Sequence, residues 1–438
     1  MPSNDPQAIV DNEPMSRFQW GVVAIMIGLN ALDGFDVLSI SFASPGIAKD
    51  WGIDRAALGI VLSMELIGMA IGSLLLGGIA DRIGRRNTIL LCLVVMAAGM
   101  FGASTSMDVY QLSGWRVLTG LGVGGMLAAT NAAVAEVSNL QRRNLAVVLM
   151  AGGYPVGAII GGSISAWLLA HYSWHAVFQF GAVATLAFIP IVLWRSPESI
   201  SFLLTRRPAN ALERINATLA RMGHATVEAL PPVVAAAKAA KVPIARLFSG
   251  PNLAPTVLLT IAYLAHIMTF YFILKWVPKI VVDMGFAPAA AAGVLVWANV
   301  GGATGSLLLG LLTARVKLVA LTVAAMLAST VMITLFGRGQ ATLSELATIA
   351  AIAGFFTNAG VVGLYALVAR SFGTEVRASA TGFVIGIGRG GSAAAPAIAG
   401  FLFAAGYGLP VVAMMMACGS LVAAIALIVL ARVQKAAA

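Results

Sequence analysis

The sequence predicts an all-α polytopic membrane protein of twelve transmembrane helices in two six-helix, pseudo-symmetric halves. Three observations predict it. The chain of 438 residues is 60% hydrophobic and only 10% charged, with a mean hydropathy of +0.93, whereas soluble domains carry about 25% charged residues. Its apolar residues come in runs such as 56–80, 88–104, 145–170 and 409–431, each close to bilayer-spanning length at about 1.5 Å of rise per residue. A six-residue string, Gly72-Ser73-Leu74-Leu75-Leu76-Gly77, recurs as Gly305-Ser306-Leu307-Leu308-Leu309-Gly310.

The runs place spans at 18–44, 56–80, 88–106, 109–137, 145–169, 174–194, 254–278, 289–313, 317–337, 343–370, 377–402 and 410–432. The 47 glycines sit largely inside them, as expected where small residues let membrane helices approach closely. Five segments follow: an N-terminal tail 1–17, a six-helix bundle 18–194, a central loop 195–253, a second six-helix bundle 254–432 and a tail 433–438. The first residues are polar and acidic (Asp5, Asp11, Glu13) and lack the basic and apolar regions of a cleavable signal, so the first span is expected to direct insertion. Within the central loop, Ala209–Met222 has helix-forming composition.

Twenty of the 27 lysines and arginines fall on one side of this topology, among them Arg82, Arg85, Arg86, Arg142, Arg143, Arg315, Arg370, Arg377 and the basic residues of the central loop. That asymmetry predicts both termini in the cytoplasm. It also explains the net charge of +10 as membrane anchoring, with no nucleic acid as partner. Cys92 and Cys418 lie inside spans and the four histidines show no ligand spacing, so no disulfide, metal or other cofactor is expected. No Gly-x-x-x-x-Gly-Lys-Ser/Thr segment is present, which argues against ATP-driven pumping.

A second internal match, one residue different in register, pairs Arg143 with Arg377, Ala146 with Ala380, Gly152 with Gly386 and Gly157 with Gly391. Two matches at nearly equal offsets indicate a parallel six-plus-six duplication. Transporters of that design bind cargo between the halves near the midplane.

Four ionisable residues lie deep in the first half. Asp33 and Asp36 of Asp33-Gly34-Phe35-Asp36 are three residues apart, on one face of the first span. Charges at such depth mark pathways or proton relays. Low dielectric and a like-charged neighbour favour the protonated form of a carboxyl group, so the pair suits proton binding and release. Arg116 in span four is a candidate partner at a depth comparable to Asp36. The opposing reading is a permanent Asp–Arg pair that merely joins spans one and four. Glu65 in span two is either a third protonatable group or a side chain reaching the outer vestibule.

The loop after span two reads Gly77-Gly78-Ile79-Ala80-Asp81-Arg82-Ile83-Gly84-Arg85-Arg86. Gly77 permits close helix approach, Asp81 can pair with cations or a helix N-terminus, and the loop's arginines can in turn engage Glu136, which ends span four ahead of Arg142 and Arg143. The residues expected to gate are Gly77, Asp81, Arg82, Arg86, Glu136 and Arg143. Such a network would gate the conformational change, locking an outward-facing state. The alternative is that these basic residues are only anchors. This loop resembles the signature loop of the major facilitator superfamily. Asp33-Gly34-Phe35-Asp36, with Ser44-Pro45-Gly46 at the end of the span and Arg116-Val117-Leu118-Thr119-Gly120-Leu121-Gly122-Val123-Gly124-Gly125 in span four, is similar to the aromatic acid:H⁺ symporter family. The resemblance runs over essentially the whole chain. It implies the major facilitator fold in a bacterial inner membrane and uptake of benzoate-, hydroxybenzoate-, phenylpropionate-, chlorophenoxyacetate- or muconate-type acids with protons. It also implies that Asp33 and Asp36 are required for coupling and that the chain works as a monomer.

In the second half Arg389, within Gly386-Ile387-Gly388-Arg389-Gly390-Gly391, reads as the one deep cation. Its partner is either the carboxylate of the cargo, held bidentately, or Asp33 or Asp36 across the interface. Tyr271, Trp297 and Phe355, together with Phe270, Phe356 and Tyr365, are available as aromatic walls, and Asn299 and Asn358 for ring substituents. His266 reads as a packing histidine or a proton carrier. Gly152-Gly153-Tyr154-Pro155 in span five has a counterpart in drug:H⁺ antiporters, and Ser196-Pro197-Glu198-Ser199 one in sugar porters. Alternatives to aromatic-acid symport are therefore a proton-driven exporter of amphipathic compounds, a symporter of a muconate-type dicarboxylate, and a membrane receptor signalling through the central loop.

Overall fold

The computed structural model describes residues 5–232, 244–373 and 375–437. Parts of the expected tails (1–4 and 438) and of the central loop (233–243) lie outside the described residues. Among those described the chain is helical, without strands. A short α1 (Pro6–Asn12) precedes the six long helices of the first half: α2 (Arg17–Trp51), α3 (Arg55–Ile83), α4 (Arg85–Ser104), α5 (Val109–Val137), α6 (Arg143–His171) and α7 (His175–Arg195). The connecting segment forms α8 (Ile200–Arg206) and α9 (Ala211–Met222). The second half is α10 (Leu253–Asp283), α11 (Pro288–Leu312), α12 (Leu318–Gly337), α13 (Leu343–Ser371), α14 (Arg377–Ala404) and α15 (Leu409–Ala437). Eleven of the twelve long helices are long and apolar enough to cross a membrane. The twelfth, α14, has the length, but its glycines and Arg389 dilute its hydropathy.

The observed ends sit within a few residues of the expected ones, except at two prolines and at the C-terminus, where α15 runs on to Ala437 through most of the expected tail 433–438. The first helix runs to Trp51 instead of stopping at 44, with Pro45 inside it. A proline there cannot donate to the carbonyl of Ser41. The hydroxyl of Ser44 donates to that carbonyl instead, at 2.8 Å, so the helix continues until Gly52 turns it at φ +59°. Likewise α10 continues through Pro278 to Asp283.

The duplication is visible in the packing. Gly72 of α3 backs onto α5, where a Cβ would stand 2.1 Å from the carbonyl oxygen of Leu121. Its repeat, Gly305 of α11, backs onto α13, 2.2 Å from that of Phe355. Gly157 of α6 abuts α2 at Ala31, and Gly391 of α14 abuts α10 at Leu264. The pairs Gly72/Gly305 and Gly157/Gly391 therefore mark places where equivalent helix pairs in each half cross closely enough to exclude a methyl group, whereas Gly152 and Gly386 have open space. Gly77, expected to permit close approach, does not follow this pattern. The position of its missing Cβ is 3.8 Å from the nearest atom, on Ala128, and Gly310 likewise has open space.

The bundle has two ends. The termini, the α3–α4 and α5–α6 turns and the connecting segment lie at one, here the terminal end; the α2–α3, α4–α5 and α6–α7 turns lie at the other, the distal end. At the distal end one apolar cluster runs through both halves, joining Phe42, Ile47 and Val61 to Val277, Val281 and Ala399. Toward the terminal end each half has its own core, around Val22, Ile89 and Met126 in the first and Leu259, Met326 and Leu364 in the second. Tight contacts follow the same division: the position of a Cβ on Gly59 is 2.6 Å from the carbonyl oxygen of Pro396, and Arg55 pairs with Asp283 at 3.0 Å, both across the distal interface. The halves are thus sealed distally and part toward the terminal end.

Gly72→Ala and Gly305→Ala are expected to destabilise by about 1–3 kcal/mol through overpacking. Gly77→Ala and Gly310→Ala, with open space, are expected to be neutral or to stabilise by up to about 1 kcal/mol. Thermal unfolding in detergent checks this, and equal effects at all four glycines would contradict it.

Candidate functional site

The deepest charges meet where α2, α3, α5 and α10 converge. Close crossing of α3 and α5 sets this up. A Cβ on Gly120 would stand 2.0 Å from the carbonyl oxygen of Glu65, so the two helices touch backbone to backbone and bring Glu65 opposite Arg116. One Glu65 carboxylate oxygen accepts from Arg116 Nη2 at 2.6 Å and from Lys275 Nζ at 3.4 Å. All three side chains are fully buried. Arg116 further donates from Nη2 to the backbone carbonyl of Asp36 at 2.9 Å and from Nη1 to Met100 Sδ at 3.1 Å, and its guanidinium lies 5.4 Å from the centre of the Phe178 ring. Lys275 donates to the backbone carbonyl of Val37. Two cations from opposite halves therefore share one carboxylate, with α2 supplying two backbone acceptors and Met100 of α4 a sulfur.

Two expectations change here. Arg116 was expected beside the Asp36 carboxylate, but it binds that residue's backbone and takes Glu65 as its ionic partner, because α5 packs closely on α3. Arg389 is also not the only deep cation of the second half, since Lys275 is fully buried. In sequence Lys275 lies near the end of its span, four residues before Lys279, and nothing there marks it as a site residue. Only the extension of α10 through Pro278 carries its side chain inside the protein.

Asp33 and Asp36 are 2% and 0% exposed. Their four carboxyl oxygens have no hydrogen-bond partner among the described residues. Gly34 between them lets α2 press on α6, where a Cβ would stand 2.1 Å from the carbonyl oxygen of Tyr154. The sequence of this stretch thus combines two buried acids with the glycine that allows their burial. An unpaired buried carboxylate is costly, and protonation removes that cost.

Arg389 is half-buried on α14 and forms no ion pair among the described residues. Gly388 beside it leaves room for the Tyr263 ring, whose hydroxyl is 3.0 Å from that of Tyr365. Tyr263 was missed in sequence, where nothing distinguishes it from a lipid-facing tyrosine. Of the expected walls, Tyr271 is half-buried and packs edge-to-face on Phe270 at 5.3 Å, and Phe355 packs on Phe356 at 5.1 Å. Trp297 is 54% exposed. The amides of Asn299 and Asn358 donate to their own helix at Leu295 and Gly354, at 2.8 and 3.1 Å, and Asn358 also fills the space beside Gly302. His266 has both ring nitrogens engaged, with Thr357 O and Ser420 Oγ at 2.9 Å each, the arrangement of a packing histidine.

A second polar cluster lies at the terminal end, and its hub is Arg85. This arginine donates to Glu136 Oε1 at 2.9 Å from Nη2 and to Asp81 Oδ1 at 2.8 Å from Nη1. Of the loop's arginines it is thus Arg85 that engages Glu136, and Arg143 does not join it among the described residues. Arg143 instead reaches Asp11 of α1 at 2.6 Å, a partner in the tail that no spacing rule foresees. Arg82 is exposed and in no ion pair among the described residues, and Arg86 donates to the Leu193 carbonyl at 2.5 Å. Glu198 accepts from the backbone N–H groups of Arg85 and Arg86 at 2.8 and 3.3 Å, so its charge caps the N-terminus of α4. Gly84, at φ +99° and with no room for a Cβ beside Glu198, is required on both counts.

A bundle of two related halves, sealed at one end, with buried ionisable groups where the halves meet, defines a membrane transporter and not an enzyme. The chain belongs to the Major Facilitator Superfamily, whose family model matches residues 26–342. It is 30% identical to a gallate transporter of Pseudomonas putida over 96% of this chain and 93% of that one. It is 30% identical to the 4-hydroxybenzoate transporter PcaK of Pseudomonas aeruginosa (89% and 87% covered), and 28% identical to a 3-(3-hydroxy-phenyl)propionate transporter of Escherichia coli (91% of each). Among solved structures a D-xylose-proton symporter superposes with a TM-score of 0.72 at 16% identity, over 93% of this chain and 97% of that one, a likeness of fold.

Glu198→Ala is expected to cost about 1–3 kcal/mol by leaving buried donors unmet, and Gly84→Ala at least as much through its positive φ. A thermal melt matching wild type for both would refute the capping role.

Proposed function

We propose that the protein takes up aromatic carboxylates with protons across a bacterial inner membrane, by alternating access. Asp33 and Asp36 act in proton coupling and Arg389 in anion binding. The observation that carries the proposal is the pair of buried, unpartnered acids in α2 beside a charge cluster shared by the two halves. Arg116 and Lys275 bring two positive charges to this region and Glu65 one negative. One ionised aspartate balances the count, and the second is then free to gain or lose a proton. Arg389, in no ion pair among the described residues and next to Gly388, against which the Tyr263 ring packs, offers a cation and aromatic surface suited to an aromatic acid. The names of the relatives favour the same cargo class.

The excess of basic residues at the terminal end supports a cytoplasmic location for that end, which makes this conformation inward-facing. The Asp81–Arg85–Glu136 network stays within the first half here. This agrees with a gate that engages the second half only when the protein faces outward. The lipid-embedded chain is taken to work as a monomer.

Asp33→Asn and Asp36→Asn are expected to abolish proton-driven accumulation of gallate, 4-hydroxybenzoate or 3-(3-hydroxyphenyl)propionate in proteoliposomes. Full accumulation by both variants would rule out the coupling role. Arg389→Ala is expected to weaken equilibrium binding of the same acids about tenfold or more, through loss of a charge-assisted pair. Efflux without uptake, or uptake of a muconate-type diacid alone, would favour an exporter or a dicarboxylate symporter.

A further inference from the structure

Lys275 belongs to the second half, yet both of its acceptors, Glu65 and the carbonyl of Val37, belong to the first. The contact lies beside the distal seal, where Leu38 and Phe42 of α2 are fully buried in one cluster with Ile273, Trp276 and Val277 of α10. Any motion that opens the distal end draws α10 away from α2 and α3 and parts Lys275 from these acceptors. Glu65 does not lose its counter-ion in that motion, because Arg116, at 2.6 Å, is on its own half. Lys275 does, since among the described residues its only anionic partner is Glu65. It would then stand as an unmatched cation on the opened face, one helical turn from Tyr271.

We propose that Lys275 is a switching cation: it is paired with Glu65 while the distal end is sealed, and it holds an anionic carboxylate when that end opens. Glu65 occupies at Lys275 the place that the ligand's carboxylate takes in the other state. The pair therefore latches the seal, and an arriving anion offsets the loss of the latch. Two carboxylates competing for one ammonium give opposite consequences for the two partners. Removing the lysine removes both the latch and the docking group, whereas removing the glutamate removes the latch and the competitor but leaves the docking group. The docking role rests on the reading of the protein as a carboxylate transporter; the latch does not.

The test uses the full chain in nanodiscs, with Cys92→Ala and Cys418→Ser to clear native thiols. Spin labels go on Met107→Cys and Ala341→Cys, exposed distal positions on opposite halves. Both Lys275→Gln and Glu65→Gln are expected to add a longer-distance population between the labels, and Lys275→Arg to restore the wild-type distribution. Titration with 4-hydroxybenzoate is expected to show binding about tenfold weaker in Lys275→Gln and tighter than wild type in Glu65→Gln. Unchanged distances in both variants overturn the latch. Equal weakening of binding in both overturns the switch and leaves a merely structural ion pair. A wild-type protein that binds no aromatic carboxylate overturns the cargo reading and the docking role together, while the distance measurement still decides the latch. Gel-filtration profiles matching wild type confirm that each variant is folded.

Discussion

The rest of this structure depends on the cost of placing charge in a low-dielectric bundle, and on the Glu65 carboxylate that meets it for two cations at once. An arginine and a lysine with no water around them require an anion within reach. Glu65 serves Arg116 from its own half and Lys275 from the other. The first contact holds in any arrangement of the halves, because α3 and α5 cross with glycine in the contact. The second exists only in a distally closed molecule. One carboxylate thus links the internal architecture of a half to the relation between halves.

The same economy governs the packing. The helices that meet across the halves, α3 with α14 and α6 with α11, come close near the distal end, where Gly59 and Gly162 admit Pro396 and Val296. The interface is tight there at the glycines, and Arg55 of α3 reaches across it to Asp283 and the Phe403 ring. Within a half, backbone-to-backbone crossings such as Gly72 on Leu121 and Gly157 on Ala31 produce rigid units. Rigid halves that meet along one interface are the mechanical condition for rocking.

The terminal-end cluster shows how a sequence motif and its physical use come apart. The loop Gly77–Arg86 is recognisable by composition, yet its glycines and arginines do different work. Gly84 turns the chain and Glu198, from beyond α7, caps the helix that follows. Arg85 joins Asp81 to Glu136, while Arg82 stays in solvent. Nothing in the spacing of three arginines says which one will face inward. That depends on the exit angle of α3 and on where α5 ends.

The sequence by itself determined the helices, their number and near-correct ends, the duplication, and the identity of Asp33, Asp36, Glu65, Arg116 and Arg389 as charges needing explanation. These are legible because a bilayer demands long apolar runs and makes every interior charge conspicuous. Only the tertiary structure decided the partners: Glu65 for Arg116, Glu65 and Val37 for Lys275, Asp11 for Arg143, and no hydrogen-bond partner among the described residues for Asp33 and Asp36. Pairing depends on which faces of distant helices meet, and that is set by close crossings at single glycines. A residue such as Lys275, near a predicted span end, becomes an interior charge only because its helix continues through a proline and packs against the opposite half.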